Sequence, residues 1–262
     1  MTRIRKLFEQ KQPDILALFY TAGYPRPSAT VEIGSSLAMA GIRLLEIGFP
    51  FSDSLVDGPT IQVANESALK QGMTFERYFT DFKNLRQKTD AALVCMCCLN
   101  PVLQYGVEHF CRDLSDAGGD GVIIADLPPE EFEHSYRSIF RQYNLDTIML
   151  VTAHLSDDRI RYIDSLCSGF LYVVSSDATT GEKLNVDKTR KEYFERLRSL
   201  DLRNPLMIGF GISDNTSFKA ACEFAHGAII GSAFIREISK NHGNIDQLCS
   251  NFVKKITEDS CS

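Results

Sequence analysis

Apolar residues in this chain gather into eight short, nearly continuous runs separated by stretches with helical spacing. The runs cover residues 15–22, 43–49, 92–99, 121–127, 147–153, 170–176, 205–211 and 227–233. Short runs without strict alternation suit parallel strands buried on both faces. Between them, Val107, Phe110 and Leu114 fall on one face of a helix, and Phe132, Tyr136, Ile139 and Tyr143 share a face of the next. Ser213 and Asp214 follow the seventh run and suit a helix N-cap. The first nine residues read as a short amphipathic helix, and Ile245, Leu248, Phe252 and Ile256 mark a last helix over residues 245–258. Eight strand–helix units without a linker predict an α/β fold: one (βα)8 TIM-barrel domain over residues 1–262, with an N-terminal extra helix. An open doubly wound sheet is the runner-up, weakened because G-x-G-x-x-G does not follow the first strand.

A barrel places its chemistry at the C-terminal ends of the strands. Glu46 interrupts the second apolar run near that end, and the following loop carries Asp53 and Asp57. A charge in a buried strand is costly unless paired or hydrogen-bonded. Glu46 is therefore either a salt-bridged core residue or a carboxylate pointing into the barrel mouth. Two carboxylates in different surroundings can divide acid and base roles, which makes Glu46 and Asp57 the candidate pair. Asp126 ends the fourth run and Tyr172 lies within the sixth. Gly209-Phe210-Gly211 ends the seventh run, and Gly231-Ser232 ends the eighth and opens a short helix. Glycines there let backbone N–H groups approach an anion, and a helix N-terminus adds its dipole, so a phosphate is expected at these two ends.

Composition narrows the function classes. A net charge of −6 leaves no basic stripe, which argues against nucleic acid as a partner. No apolar run approaches a membrane span, and residues 1–9 lack the apolar core of a secretory signal. The eight cysteines (95, 97, 98, 111, 167, 222, 249 and 261) show no paired C-x-x-C or zinc-like spacing. They read as free thiols of a cytoplasmic protein, with no metal site.

A further set of blocks runs the length of the chain in a fixed order. They are Thr21-Ala22-Gly23, Leu45-Glu46-Ile47-Gly48, Pro50-Phe51-Ser52-Asp53, Asp57-Gly58-Pro59-Thr60-Ile61-Gln62, Asn100-Pro101 with Gln104-Tyr105-Gly106, Asp126-Leu127-Pro128, Gly209-Phe210-Gly211-Ile212-Ser213 and Gly231-Ser232-Ala233. Together they resemble the tryptophan synthase α-subunit family. The resemblance implies a lyase that splits indole-3-glycerol phosphate into indole and glyceraldehyde 3-phosphate. Indole would then pass to a pyridoxal-phosphate-dependent β subunit, in an α2β2 heterotetramer, with no cofactor in this chain. By position, Glu46 resembles the family's general acid/base. Asp57 resembles the carboxylate that accepts the indole N–H, and Tyr172 the tyrosine beside the catalytic glutamate. Gly181, Phe210, Gly211, Gly231 and Ser232 match the phosphate cradle, and Phe19 and Ile123 match apolar positions around the indole ring. The chain departs from the family pattern at Ser176, Ala178 and Thr179 in the stretch 175–181, at Ser54, where proline is usual, and at Cys98, where a tyrosine is usual. These departures leave an alternative: a subunit that activates its β partner but cleaves slowly. An unrelated barrel isomerase binding a sugar phosphate is a third reading, opposed by the block from Glu46 to Gln62.

Overall fold

The computed structural model describes residues 1–10, 14–54, 57–174, 188–209, 211–240 and 243–258. Nine parallel strands form the sheet: β1 (Ile15–Thr21), β2 (Leu44–Gly48), β3 (Ala92–Cys97), β4 (Gly121–Ile124), β5 (Asp146–Thr147), β6 (Met149–Val151), β7 (Leu171–Val174), β8 (Leu206–Gly209) and β9 (Gly227–Ile230). Their order is β5-β4-β3-β2-β1-β9-β8-β7-β6. The first and last staves pair directly, Ile15 beside Gly227 through Leu18 beside Ile230. The two ends of the order, β5 and β6, are consecutive in the chain, so the sheet curls into a nearly closed barrel. Helices between the strands cover its outside, as an all-parallel sheet requires. β1 is buried along all seven residues, because one face meets the barrel interior and the other meets helices.

The run 147–153 is expected as one strand, whereas the structure breaks it at Ile148 into β5 and β6. β5 pairs with β4 and β6 with β7. The Thr147 carbonyl accepts from the Ser168 N–H at 3.0 Å and lies 3.1 Å from the Cys167 thiol, so a turn occupies it rather than a strand ladder. A second difference lies in the helical segment 129–142. Residues Phe132–Tyr136 form a π-turn, whose wider winding adds a residue to the turn. The buried face therefore passes through Phe132 and Phe140, with ring centroids 5.6 Å apart, while Tyr136, Ile139 and Tyr143 are only partly covered.

The N-terminal helix, Arg3–Glu9, buries Ile4 and Leu7 and lies at the N-terminal ends of the strands. Arg3 pairs with Asp120 just before β4, and Arg5 with Asp146 at the start of β5. Arg86 reaches Asp120 at 2.9 Å and the Leu93 N–H donates to the same carboxylate at 3.0 Å. Asp214 caps the helix Asn215–Cys222, exchanging hydrogen bonds with Ser217 in a capping box. The last helix, Ile245–Thr257, presents its apolar stripe to helix Ala29–Met39.

Candidate active site

Parallel register carries the first stave's chemistry to the second: Phe19 lies beside Glu46, and Thr21 beside Gly48. Registered neighbours share a face, so Phe19 and Glu46 point into the barrel together. One cavity at the C-terminal ends of the strands is lined by Phe19, Glu46, Asp57, Ile61, Met96, Tyr172, Gly211, Ile212, Ile229, Gly231 and Ser232. Glu46, Asp57, Tyr172, Gly211 and Gly231 thus meet at a single mouth. Ile123 is fully buried beside Met96 in register, but is not among the lining residues. Gly181, Phe210 and the stretch 175–181 lie outside the described residues.

Glu46 is 2% exposed, and its Oε2 finds no hydrogen-bond partner among the described residues. Burial pushes its carboxyl up to about 8, and the nearby Asp57 charge adds to the rise. Asp57 is half-buried at the end of its loop, where burial also raises its carboxyl above the usual value. Its Oδ2, however, accepts from the Ser54 hydroxyl at 2.6 Å and the Asn65 amide at 3.2 Å, which pull the other way. Glu46 is therefore held in its neutral form at pH 7, and Asp57 is the carboxyl whose anion has donors. Burial, followed by the charges of Glu46 and Asp57, raises the Tyr172 phenol well above its ordinary value. The mouth thus combines a protonated acid, a hydrogen-bonded carboxylate and a neutral phenol.

At the far side of the cavity, helix Ser232–Lys240 begins with Gly231 and Ser232 on the wall. Its unpaired N–H groups and dipole favour an anion there. Gly211 has φ +77°, a conformation that glycine adopts without cost. Among the described residues, no group of three His, Cys, Asp or Glu could hold a metal ion. Nor is any described helix long and apolar enough to cross a membrane.

The family model for the tryptophan synthase alpha chain matches residues 6–260. The chain belongs to the tryptophan synthase alpha chain family. It is 44% identical over 257 residues to the tryptophan synthase alpha chain of Christiangramia forsetii, an alignment covering 98% of each chain. The crystal structure of tryptophan synthase subunit alpha from Legionella pneumophila superimposes with a TM-score of 0.88 at 31% identity, covering 98% of both chains. A chain of the tryptophan synthase complex from Pyrococcus furiosus gives a TM-score of 0.84 at 27% identity, covering 93% of this chain and 98% of that one. Membership of the tryptophan synthase alpha chain family makes this protein a carbon–carbon lyase of tryptophan biosynthesis.

Within the site, the structure adds residues that sequence reasoning does not single out. Asn65 is 4% exposed on helix Pro59–Lys70, where it reaches both Asp57 and the Thr21 hydroxyl. Its signal was available: a polar residue in the buried row Ile61, Ala64, Asn65 and Ala68. Gly209, read as part of an anion loop, has a second duty. A Cβ there would lie 2.2 Å from the Tyr172 ring, so the missing side chain makes room for that phenol. Gly48 likewise makes room for Phe19, which a Cβ would approach to 2.6 Å. Such cross-strand accommodation depends on register and leaves no local mark.

Proposed function

We propose that Glu46 is the acid/base of indole-3-glycerol phosphate cleavage and that Asp57 holds the indole N–H. The observation that carries this reading is the buried, unpartnered Oε2 of Glu46, on a carboxyl raised to about 8, in the same cavity as Asp57. A neutral carboxylic acid can deliver its proton to the indole ring carbon that bears the side chain. The resulting carboxylate takes the proton of the hydroxyl on the first side-chain carbon, the one bonded to the ring. That oxygen's electron pair becomes the aldehyde carbonyl, and the carbon–carbon bond breaks with its electrons returning to the ring. Ring protonation leaves positive charge spread toward the indole nitrogen, which the Asp57 carboxylate stabilises.

Phe19 and Tyr172 form the apolar wall against which the ring packs, with Ile123 beneath it. Gly211, Gly231 and Ser232 receive the phosphate at the start of helix Ser232–Lys240, and Gly181 and Phe210 complete the cradle by resemblance. The reaction needs no cofactor in this chain. Family members work with a β subunit, and here an α2β2 heterotetramer in the cytoplasm, with pyridoxal phosphate in the β subunit, is the assembly we infer. The whole chain serves as one barrel domain.

The test measures indole release and β-subunit stimulation in one preparation containing both chains. The wild type should do both. Glu46→Gln should lower indole release by roughly 10²–10⁴-fold with substrate still bound, and Asp57→Asn should lower it with little effect on phosphate affinity. Unchanged turnover in Glu46→Gln would remove the acid/base role, and stimulation without wild-type turnover would select the activator reading.

A further inference from the structure

Ser54 occupies a position where family members usually carry proline, and the structure gives its hydroxyl a specific partner. Its side chain is 4% exposed, and the Oγ lies 2.6 Å from Asp57 Oδ2. A buried hydroxyl must place its hydrogen on an acceptor or lose the cost of its desolvation. The Cys98 sulfur lies 4.0 Å from the Ser54 oxygen and can only donate weakly toward it. The loop backbone is held separately: the Asp57 N–H donates to the Ser54 carbonyl at 3.4 Å, and the Gln62 amide reaches the Ser54 and Asp57 carbonyls at 3.3 and 2.9 Å. The hydroxyl therefore adds something the loop's own closure does not require.

We propose that Ser54 is a positioning residue, its hydroxyl fixing the rotation of the Asp57 carboxylate for the indole N–H. The inference rests on the reading of Asp57 given above. Two donors from different segments, Ser54 in the loop and Asn65 in helix Pro59–Lys70, converge on the same oxygen. A carboxylate torsion is broad and roughly two-fold when left alone; two donors on Oδ2 select one setting. Both bonds are charge-assisted when Asp57 is ionised, so they also favour the anion. A proline at position 54 could stiffen the loop but could not donate. Here the stiffness is exchanged for a bond made directly to the carboxylate.

The experiment combines kinetics of indole release in the complex with the β subunit and a titration followed on the carboxyl carbon of Asp57. Variants are Ser54→Ala, Ser54→Thr and both in the Asp57→Asn background. Ser54→Ala should lower kcat/KM roughly ten-fold and move the Asp57 titration upward by about one pH unit. Ser54→Thr, which keeps the hydroxyl, should recover both. In the Asp57→Asn background the alanine substitution should add nothing, since its target is gone. If Asp57→Asn alone is fully active, the role given to Asp57 fails. If Asp57→Asn is impaired but Ser54→Ala leaves rate and titration unchanged, or costs the same in both backgrounds, the Ser54 inference fails and the role of Asp57 stands.

Discussion

Replacing Glu46 with glutamine should remove the reaction and, above neutral pH, stabilise the fold. The carboxyl titrates at about 8 in the folded protein against an ordinary 4.5, because burial disfavours its charged form. Below pH 4.5 both the folded and the unfolded chain hold the proton, and the group costs nothing. As pH rises, the unfolded chain releases its proton first, so stability falls until the folded carboxyl also ionises near pH 8. At 1.36 kcal/mol per pH unit, the loss is about 1 kcal/mol at pH 5, about 3 kcal/mol at pH 7 and nearly 5 kcal/mol at pH 9. That is a large share of the ~5–15 kcal/mol that holds a typical protein folded. Glutamine has almost the same shape and no charge at any pH. Its buried amide adds a term that does not vary with pH, so the slope, not the offset, is diagnostic. Urea unfolding followed by far-ultraviolet circular dichroism suits a chain without tryptophan. The stability of Glu46→Gln relative to wild type should improve by about 4 kcal/mol between pH 5 and pH 9. A difference that stays flat across this range would show that Glu46 is ionised in the folded state at neutral pH, and the acid would lose its physical basis.

Two further substitutions separate the mouth of the barrel from its base. Gly209→Ala puts a Cβ against the Tyr172 ring, so the ring must move; indole release should fall about ten-fold or more, with a stability loss of about 1–3 kcal/mol from overpacking, and a variant with wild-type rate would show that Tyr172's placement does not matter. Asp120→Ala strands Arg86 and the Leu93 N–H; denaturant unfolding should show a loss of about 3–5 kcal/mol, while turnover of the protein that remains folded should stay near wild type, and a selective loss of turnover would contradict the division between base and mouth.

The barrel was legible in the sequence because parallel staves buried on both sides must be apolar almost throughout. Runs such as Ile15–Thr21 and Leu44–Gly48 carry that signature in single residues. What stayed hidden depends on partners distant in sequence. Thr147 looks like the start of one strand through 153 until the turn at Cys167 and Ser168 takes its carbonyl. The face of segment 129–142 followed a period of 3.6 only until the π-turn displaced it, and no single residue there announces the insertion. At the site, Glu46 stood out because a carboxylate in an apolar run demands a reason. Asn65 was overlooked because an asparagine on a helix is ordinarily solvated. Gly209 was assigned to an anion loop because its contact with Tyr172 exists only across two paired strands.

The same protein treats its buried carboxylates in two opposite ways, and the contrast separates structure from chemistry. At the base of the barrel, Asp120 receives Arg3, Arg86 and the Leu93 N–H, while Asp146 receives Arg5 and the Thr2 hydroxyl. Those charges serve to pin the N-terminal helix, and each is surrounded by donors. At the mouth, Glu46 Oε2 has none among the described residues, and the charge that acts on it comes from another carboxyl, Asp57. A fold selected for stability alone would pair or remove such a group, because leaving it buried costs several kcal/mol once it ionises. Left unpaired in the cavity, it keeps a proton available for the substrate step proposed above. Asp57 sits between the two extremes, buried enough to be raised yet supplied with two donors. That gradation, from paired base to half-supported Asp57 to unsupported Glu46, gives one cavity both a proton to deliver and an anion to accept a hydrogen bond.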